Sequence, residues 1–138
     1  MNFILRILAI VWASPYTMLG VAIGAVGLLS GGKVQLREGV VEFYEGGVKR
    51  FLHLLPGGQF TLAMTLGHTV LGQTAAALDI SREHELVHVR QYERWGPLFG
   101  PAYLGCSLVL WLLGRRAYRD NPFEREAYGV SGDDDIRA

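Results

Sequence analysis

The sequence lacks several features that would define a function class. It contains a single cysteine, Cys106, so no intrachain disulfide can form. Only 19% of the residues are charged, and 13 basic residues balance 13 acidic ones. This balance gives no excess positive charge that would attract a nucleic acid. No internal repeat is visible, and 138 residues provide for one domain only.

Two long runs without any charged residue stand out in a chain that is half hydrophobic, with a mean hydropathy of +0.22. They cover residues 7–29 and 95–114. As helices rising about 1.5 Å per residue, both approach the roughly 30 Å thickness of a bilayer core. The first run is longer than the roughly 7–15 residues of a signal-peptide core and contains Pro15. A retained membrane segment is therefore favoured, with a cleaved signal peptide as the alternative.

The apolar pattern predicts an α+β fold built in one domain, residues 1–130, followed by a disordered tail, residues 131–138. The predicted elements are an N-terminal membrane helix or a hairpin broken at Pro15 (3–29), a small β-sheet (33–72), a helix (81–95), a second apolar membrane-associated helix (101–118) and a short C-terminal helix from Asn121-Pro122. Within the sheet, Glu38-Gly39 predicts a hairpin turn, and alternating apolar residues predict a strand over residues 60–72.

One motif carries chemistry: His84-Glu85-Leu86-Val87-His88. Residues i and i+4 lie on the same face of a helix, so both imidazoles can reach one metal ion. Glu85 then flanks the metal and can take a proton from metal-bound water. Nitrogen ligands in a tetrahedral site favour zinc. The alternative is a surface helix with two solvated histidines.

A third ligand is predicted in the C-terminal helix, which offers two carboxylates. Asn121 is placed to cap that helix, and Glu124 is placed to close a capping box with it. Because capping already explains Glu124, Glu126 is the better candidate for the metal.

This arrangement resembles the membrane gluzincin metalloproteases, which include the prenyl-protein and heat-shock membrane proteases and the metalloprotease domains of β-lactam sensors. The resemblance covers about residues 60–128 and depends on the histidine motif and on Glu126-Ala127. It implies that His84, His88 and Glu126 bind Zn²⁺ and that Glu85 is the catalytic base. It also implies that an extended substrate lies along a strand near residues 61–70.

The chain departs from that family in two respects. Tyr128 stands where those proteases usually carry an aspartate that orients a histidine ligand. The chain is also much shorter than those proteases, so that much of a substrate cleft is missing.

Three further residues are candidates for a supporting role. His68 could stabilise an oxyanion from its strand, Gln91 could contact His88 from one turn further along the helix, and Tyr128 could donate to a reaction intermediate. For each of them a structural role, as a partly buried or a solvated side chain, is the alternative.

The second apolar run raises a question of topology. If it crossed the bilayer, His88 and Glu126 would lie on opposite sides and could not share a metal ion. Basic residues flank the run on both sides (Arg90, Arg94, Arg115, Arg116, Arg119), as expected if both ends stay cytoplasmic. A re-entrant or in-plane segment is therefore favoured over a full span.

The sequence thus predicts a zinc-dependent membrane peptidase, in a bacterial inner membrane with its site facing the cytoplasm. Its expected partners are the lipid bilayer and a peptide or membrane-protein substrate, with no nucleic acid. The rival hypothesis is a non-catalytic membrane protein whose metal site or polar helix serves structure or partner binding.

Overall fold

The structure is a computed structural model that describes residues 2–55 and 61–131. Its elements confirm the predicted α+β class. They are α1 (Phe3–Leu29), β1 (Lys33–Arg37), β2 (Val40–Tyr44), α2 (Gly46–Leu54), β3 (Ala63–Leu66), β4 (Thr69–Gly72), α3 (Ala75–Trp95), a single 3₁₀ turn (Gly96–Leu98), α4 (Phe99–Leu112) and α5 (Pro122–Ser131). Apart from Ser131, which ends α5, the predicted tail lies outside the described residues.

The four strands form one sheet in the order β1-β2-β4-β3. The hairpins β1-β2 and β3-β4 are antiparallel, and β2 pairs with β4 in parallel. The predicted turn at Glu38-Gly39 is confirmed, and both residues have positive φ, as a tight hairpin turn requires. Strand β3 therefore lies at an edge of the sheet, where it pairs only with β4 in the described part of the chain.

Strand β4 lies inside the sheet, between β2 and β3, and helices cover both of its faces. Val70 packs with Leu78 and Val89 of α3 on one side. Leu71 packs with Phe43 and Leu52, next to α1 and α2, on the other side. The sheet is thus the middle layer, and one of its outer layers is α3, the helix that carries the histidine motif.

Helix α1 runs unbroken through Pro15, so of the two predicted forms the single helix is confirmed and the hairpin is excluded. Its small residues face the sheet, and a Cβ atom on Gly24 would overlap the ring of Phe43. The carbonyl of Val11, which Pro15 cannot reach with an N–H, accepts a hydrogen bond from the Ser14 hydroxyl at 2.7 Å instead. The opposite face of α1 exposes large apolar side chains such as Phe3, Val11 and Met18.

Three other predicted boundaries are corrected. Residues 46–54 form α2 and not part of the sheet, because Val48 and Leu52 recur one turn apart and are both buried. The single strand predicted over residues 60–72 is a hairpin that turns at Gly67-His68. Helix α3 begins six residues earlier than predicted, because Thr74 caps it by accepting a hydrogen bond from Ala77 N at 3.0 Å.

Helix α4 is shorter than predicted, and the chain that follows it folds back against it. It has 14 residues, about 21 Å at 1.5 Å per residue, less than the roughly 30 Å bilayer core. The chain then returns along it: the Ser107 hydroxyl donates to the carbonyl of Ala117 at 2.9 Å, and Asn121 Nδ2 donates to the carbonyl of Tyr103 at 3.0 Å. The residues on either side of α4 therefore stay together.

Two helical stretches are long and apolar enough to cross a membrane by length and composition. They are Phe3–Leu29 and the continuous run Ala75–Leu112, which comprises α3, the 3₁₀ turn and α4. Both leave most of their apolar surface outside the protein core, which is compatible with contact with a membrane.

Candidate metal centre

Helix α3 places the two histidines of the motif side by side, as predicted. His84 and His88 are 7% and 5% exposed, and their Nε2 atoms lie 3.2 Å apart. A buried pair of this kind does not fit the alternative of two solvated histidines on a surface helix. The two imidazoles thus present their Nε2 atoms to a common point.

Helix α5 brings a carboxylate to that point, and the residue that supplies it is Glu124, not the predicted Glu126. The Oε1 atom of Glu124 lies 2.8 Å from His88 Nε2, and its Oε2 atom lies 3.3 Å from His84 Nε2. Glu124 is 4% exposed. The three side chains His84, His88 and Glu124 lie close enough together to bind a metal ion, and they are called the buried triad below.

Glu126 lies on another face of α5, because residues two positions apart in a helix are separated by about 200° around the helix axis. Its Oε1 atom accepts hydrogen bonds from Arg94 at 2.8 Å and from Gln91 at 2.9 Å, and its side chain is 43% exposed. Glu126 therefore does not lie with the histidines, and the capping pattern that favoured it over Glu124 does not hold in the structure. In the structure Asn121 caps the helix by accepting from Phe123 N at 3.0 Å, and the carboxylate of Glu124 is used for the histidines instead.

The electrostatics of the buried triad follow from mutual contact inside the protein. Burial by itself raises the pKa of Glu124, but the hydrogen bonds and charges of His84 and His88 outweigh it and lower that pKa to about 2. Burial lowers the pKa of His88, but the hydrogen bond with Glu124 and the charges of Glu85 and Glu124 raise it to about 9. Without a metal ion, the triad is therefore held together as a buried ion pair.

The spacing of the buried triad is compatible with a shared metal ion. Ligand atoms about 2.0–2.1 Å from a zinc ion lie about 3.3–3.4 Å from one another. The two Nε2 atoms are 3.2 Å apart, Glu124 Oε1 lies 2.8 Å from His88 Nε2, and the other carboxylate oxygen, Oε2, lies 3.3 Å from His84 Nε2. Glu124 Oε2 is buried, and its contact with His84 Nε2 is 3.3 Å long, so a metal ion between the two atoms would compensate the charge of the carboxylate more closely.

Gln91 fixes the orientation of His88, in the supporting role predicted for it. Its Oε1 atom lies 2.8 Å from His88 Nδ1, and its Nε2 atom donates to the carbonyl of Phe123 at 2.9 Å. A proton on Nδ1 leaves Nε2 with a lone pair, which is the state that a metal ligand requires. Gln91 thereby ties α3 to α5 directly behind the triad.

Glu85 follows His84 on α3, and its carboxylate contacts strand β3. It is 7% exposed, and the hydroxyl of Thr65 on β3 donates to its Oε2 atom at 2.5 Å. Thr65 also accepts from the hydroxyl of Tyr92 through its carbonyl at 3.1 Å. The carboxylate of Glu85 is therefore held between α3 and the edge strand, next to the histidines and not in contact with Glu124.

A cavity of about 700 Å³ adjoins the triad. Its walls come from β3 and the residues just before it, from α3, from the start of α4, from the segment between α4 and α5, and from α5 itself. Most of the wall is apolar, and its polar part includes the triad and Glu85. A concave apolar space with a few converging polar groups is typical of a binding site.

Tyr128 lies in the cavity wall in contact with the triad. Its ring centroid is 4.4 Å from that of His84, and its hydroxyl lies 2.9 Å from the hydroxyl of Tyr118. Both tyrosines are thus placed beside the triad.

His68 does not join the site. It lies in the β3-β4 turn, its Nε2 atom is 3.4 Å from Glu93 Oε2, and its backbone N donates to the hydroxyl of Thr17. It is not among the residues that line the cavity.

Sequence patterns do not predict a role for Thr65, because it belongs to no motif. Its contact with Glu85 arises only from the packing of α3 against β3.

Comparison of the chain with models of protein families, with curated proteins and with solved structures finds no match. The resemblance to the membrane gluzincins therefore depends on the histidine motif and on the order of the elements, and it stays a prediction.

Proposed function

We propose that this protein is a zinc-dependent peptidase that acts at a membrane. The observation that supports the proposal most strongly is the buried triad, which joins His84 and His88 of α3 to Glu124 of α5 in the wall of a large cavity. Structural zinc sites use four protein ligands and are closed, whereas catalytic sites use three and keep one position open. Three ligands beside a cavity match the catalytic type.

In this proposal His84 Nε2, His88 Nε2 and the carboxylate of Glu124 hold the zinc. When bound by these residues, zinc would activate a water molecule at neutral pH and polarise the scissile carbonyl. Glu85 takes the proton from the attacking water and passes it to the leaving amine. The hydroxyl of Thr65 keeps the Glu85 carboxylate in place for that transfer.

The edge strand β3 provides the place for a peptide substrate. On the side away from β4, no other strand in the described part of the chain pairs with β3. An extended peptide can therefore pair with β3 there through backbone hydrogen bonds. Its residues Ala63, Met64 and Thr65 line the cavity, so a peptide paired there passes beside Glu85 and the triad.

The membrane is the second part of the proposal. The outer faces of α1 and α4 expose many large apolar side chains, including Leu8, Met18, Leu108 and Trp111. A soluble monomer rarely exposes apolar surface on this scale. In the proposed arrangement α4 lies in the plane of the membrane with its apolar face in the bilayer, while Arg115, Arg116 and Arg119 stay outside the hydrocarbon, so that His88 and Glu124 remain on the same side.

The decisive experiment replaces the proposed base and leaves the ligands intact. Zinc-loaded Glu85→Gln should keep its metal but hydrolyse a quenched fluorescent apolar peptide about 10²–10⁴-fold more slowly than the parent. The exposed Glu83 on the same helix offers a matched control, and Glu83→Gln should retain full activity. Equal activity of parent and Glu85→Gln, both with zinc bound, would support the non-catalytic alternative instead.

The location is tested separately by fractionation of cells that produce the full chain. The protein should stay with the membrane pellet through an alkaline carbonate wash, because apolar contact does not depend on charge. Release into the supernatant would reject the membrane part and leave the peptidase part standing.

A further inference from the structure

The wall of the cavity contains one basic side chain that the proposed reaction does not use. Among the described residues that line the cavity, Arg119 is the sole lysine or arginine. It lies in the turn between α4 and α5, and its guanidinium carbon is 4.7 Å from the ring centroid of Tyr128. Tyr128 in turn contacts His84, so a single aromatic ring separates the guanidinium from the buried triad.

We propose that Arg119 binds a carboxylate of the substrate, so that the site selects apolar peptides with a carboxylate within about three residues of the scissile bond. The assignment rests on the peptidase function proposed above. The spacing follows because the His84 ring and the Arg119 guanidinium lie 4.4 Å and 4.7 Å from the ring centroid of Tyr128, so that they are at most about 9 Å apart, and an extended peptide advances about 3.4 Å per residue.

The chemistry of Arg119 suits this role. A guanidinium that stacks on an aromatic ring is held in a defined orientation and keeps its N–H donors in its own plane. Those donors match the two oxygens of a carboxylate, and the pair gains strength where apolar walls exclude water. Arg119 is the basic side chain at this end of the cavity, and Arg119→Gln in the test below separates its contribution from that of the metal ion.

The carboxylate has two sources, the C-terminus of the peptide or an acidic side chain within it, and three probes distinguish them. Each is a dye-labelled hexapeptide of alanine, leucine and phenylalanine: one with a free C-terminal carboxylate, one with a C-terminal amide, and one amide with a single glutamate at the fifth position. Binding is measured by fluorescence anisotropy to the zinc-loaded, full-length Glu85→Gln protein, which isolates binding from hydrolysis.

The free acid should bind at least about 10-fold more tightly than the plain amide, because a hydrogen bond to a charged group is worth about 1.5–3 kcal/mol. Adding Arg119→Gln should remove that difference while zinc content and the circular dichroism spectrum stay unchanged. Arg119→Lys should keep part of the preference. The exposed Arg115 in the same connection is the matched control, and Arg115→Gln should leave the preference intact.

Tight binding of the glutamate-containing amide would assign the carboxylate to a side chain, and preference for the free acid alone would assign it to the C-terminus. Equal binding of the acid and both amides would overturn the inference. Its failure is distinct from failure of the proposed function: a parent enzyme that cleaves acids and amides with equal kcat/KM refutes the role of Arg119 only. A zinc-loaded parent that binds the acid selectively but cleaves no peptide refutes the peptidase function only.

Discussion

Helices α3 and α5 meet at two places, and the two contacts use the same kinds of groups in opposite surroundings. On the inner side, Glu124 contacts His84 and His88 with side chains no more than 9% exposed. On the outer side, Glu126 contacts Arg94 at 2.8 Å with side chains 43% and 60% exposed. The inner carboxylate has lost its water and depends on a cation for compensation, whereas the outer one can exchange its partner for water at little cost.

The difference shows that proximity of opposite charges does not by itself identify the carboxylate that could bind a metal ion. Two glutamates separated by one residue are both paired, and the hydrogen bond from Gln91 and the charge of Arg94 lower the pKa of Glu126 as well. What distinguishes Glu124 is burial beside two nitrogen ligands. Four measurements test this contrast, and they are ordered here by the size of the expected effect.

The largest effect is expected for zinc binding by the two carboxylate variants. Glu124→Gln should weaken zinc affinity by more than about 100-fold, since it removes a ligand and not merely the partner of one. Glu126→Gln should change the affinity by no more than about fivefold, because an exposed ion pair is worth about 0–1 kcal/mol. Competition with a chromophoric chelator measures both, and the reverse order would restore Glu126 as the ligand.

A smaller loss is expected when the partner behind His88 is removed. Gln91→Met keeps the volume of this buried side chain but withdraws the acceptor from His88 Nδ1. Loss of such a partner typically weakens metal binding about 10–100-fold. The same titration checks this, and the ring proton signals of His88 in a nuclear magnetic resonance spectrum should show exchange between tautomers. Unchanged affinity would mean that packing alone orients the ring.

The pH dependence of zinc binding sharpens the contrast further. Zinc must displace the proton that Glu124 holds on His88, whose pKa is raised to about 9 in the metal-free protein. Apparent zinc affinity should therefore rise with pH up to about 9 and level off above it. In Glu124→Gln the rise should end near the ordinary histidine value of about 6.5 or below, while Glu126→Gln should follow the parent. Isothermal titration at several pH values measures the protons released.

The smallest effect is expected at the outer contact itself. Arg94→Gln removes an exposed ion pair, so the free energy of unfolding should fall by less than about 1 kcal/mol. Thermal unfolding in one detergent, with and without 0.5 M salt as a screening control, measures this. A large loss of stability would show that the outer contact holds α5 in place.

Local sequence patterns predicted much of this protein. The i, i+4 spacing placed His84 and His88 on one face because helix geometry depends only on sequence separation. The Glu38-Gly39 turn and the Asn121-Pro122 helix start were predicted for the same reason, since turns and caps involve a few adjacent residues. Helix α2 escaped prediction because its glycine-rich start resembles a turn, and its stability comes from burial of Val48 and Leu52.

The tertiary structure determined which carboxylate contacts His84 and His88. The local capping pattern favoured Glu126 over Glu124, but the packing of α5 against α3 determines which of the two carboxylates loses its water, and that is Glu124. The contact of Thr65 with Glu85 and the approach of Arg119 to Tyr128 likewise depend on elements that are remote in sequence. A sequence by itself specifies residue types and their local spacing, whereas burial and long-range contacts, which set the charge and the partners of each group, arise only when the layers pack together.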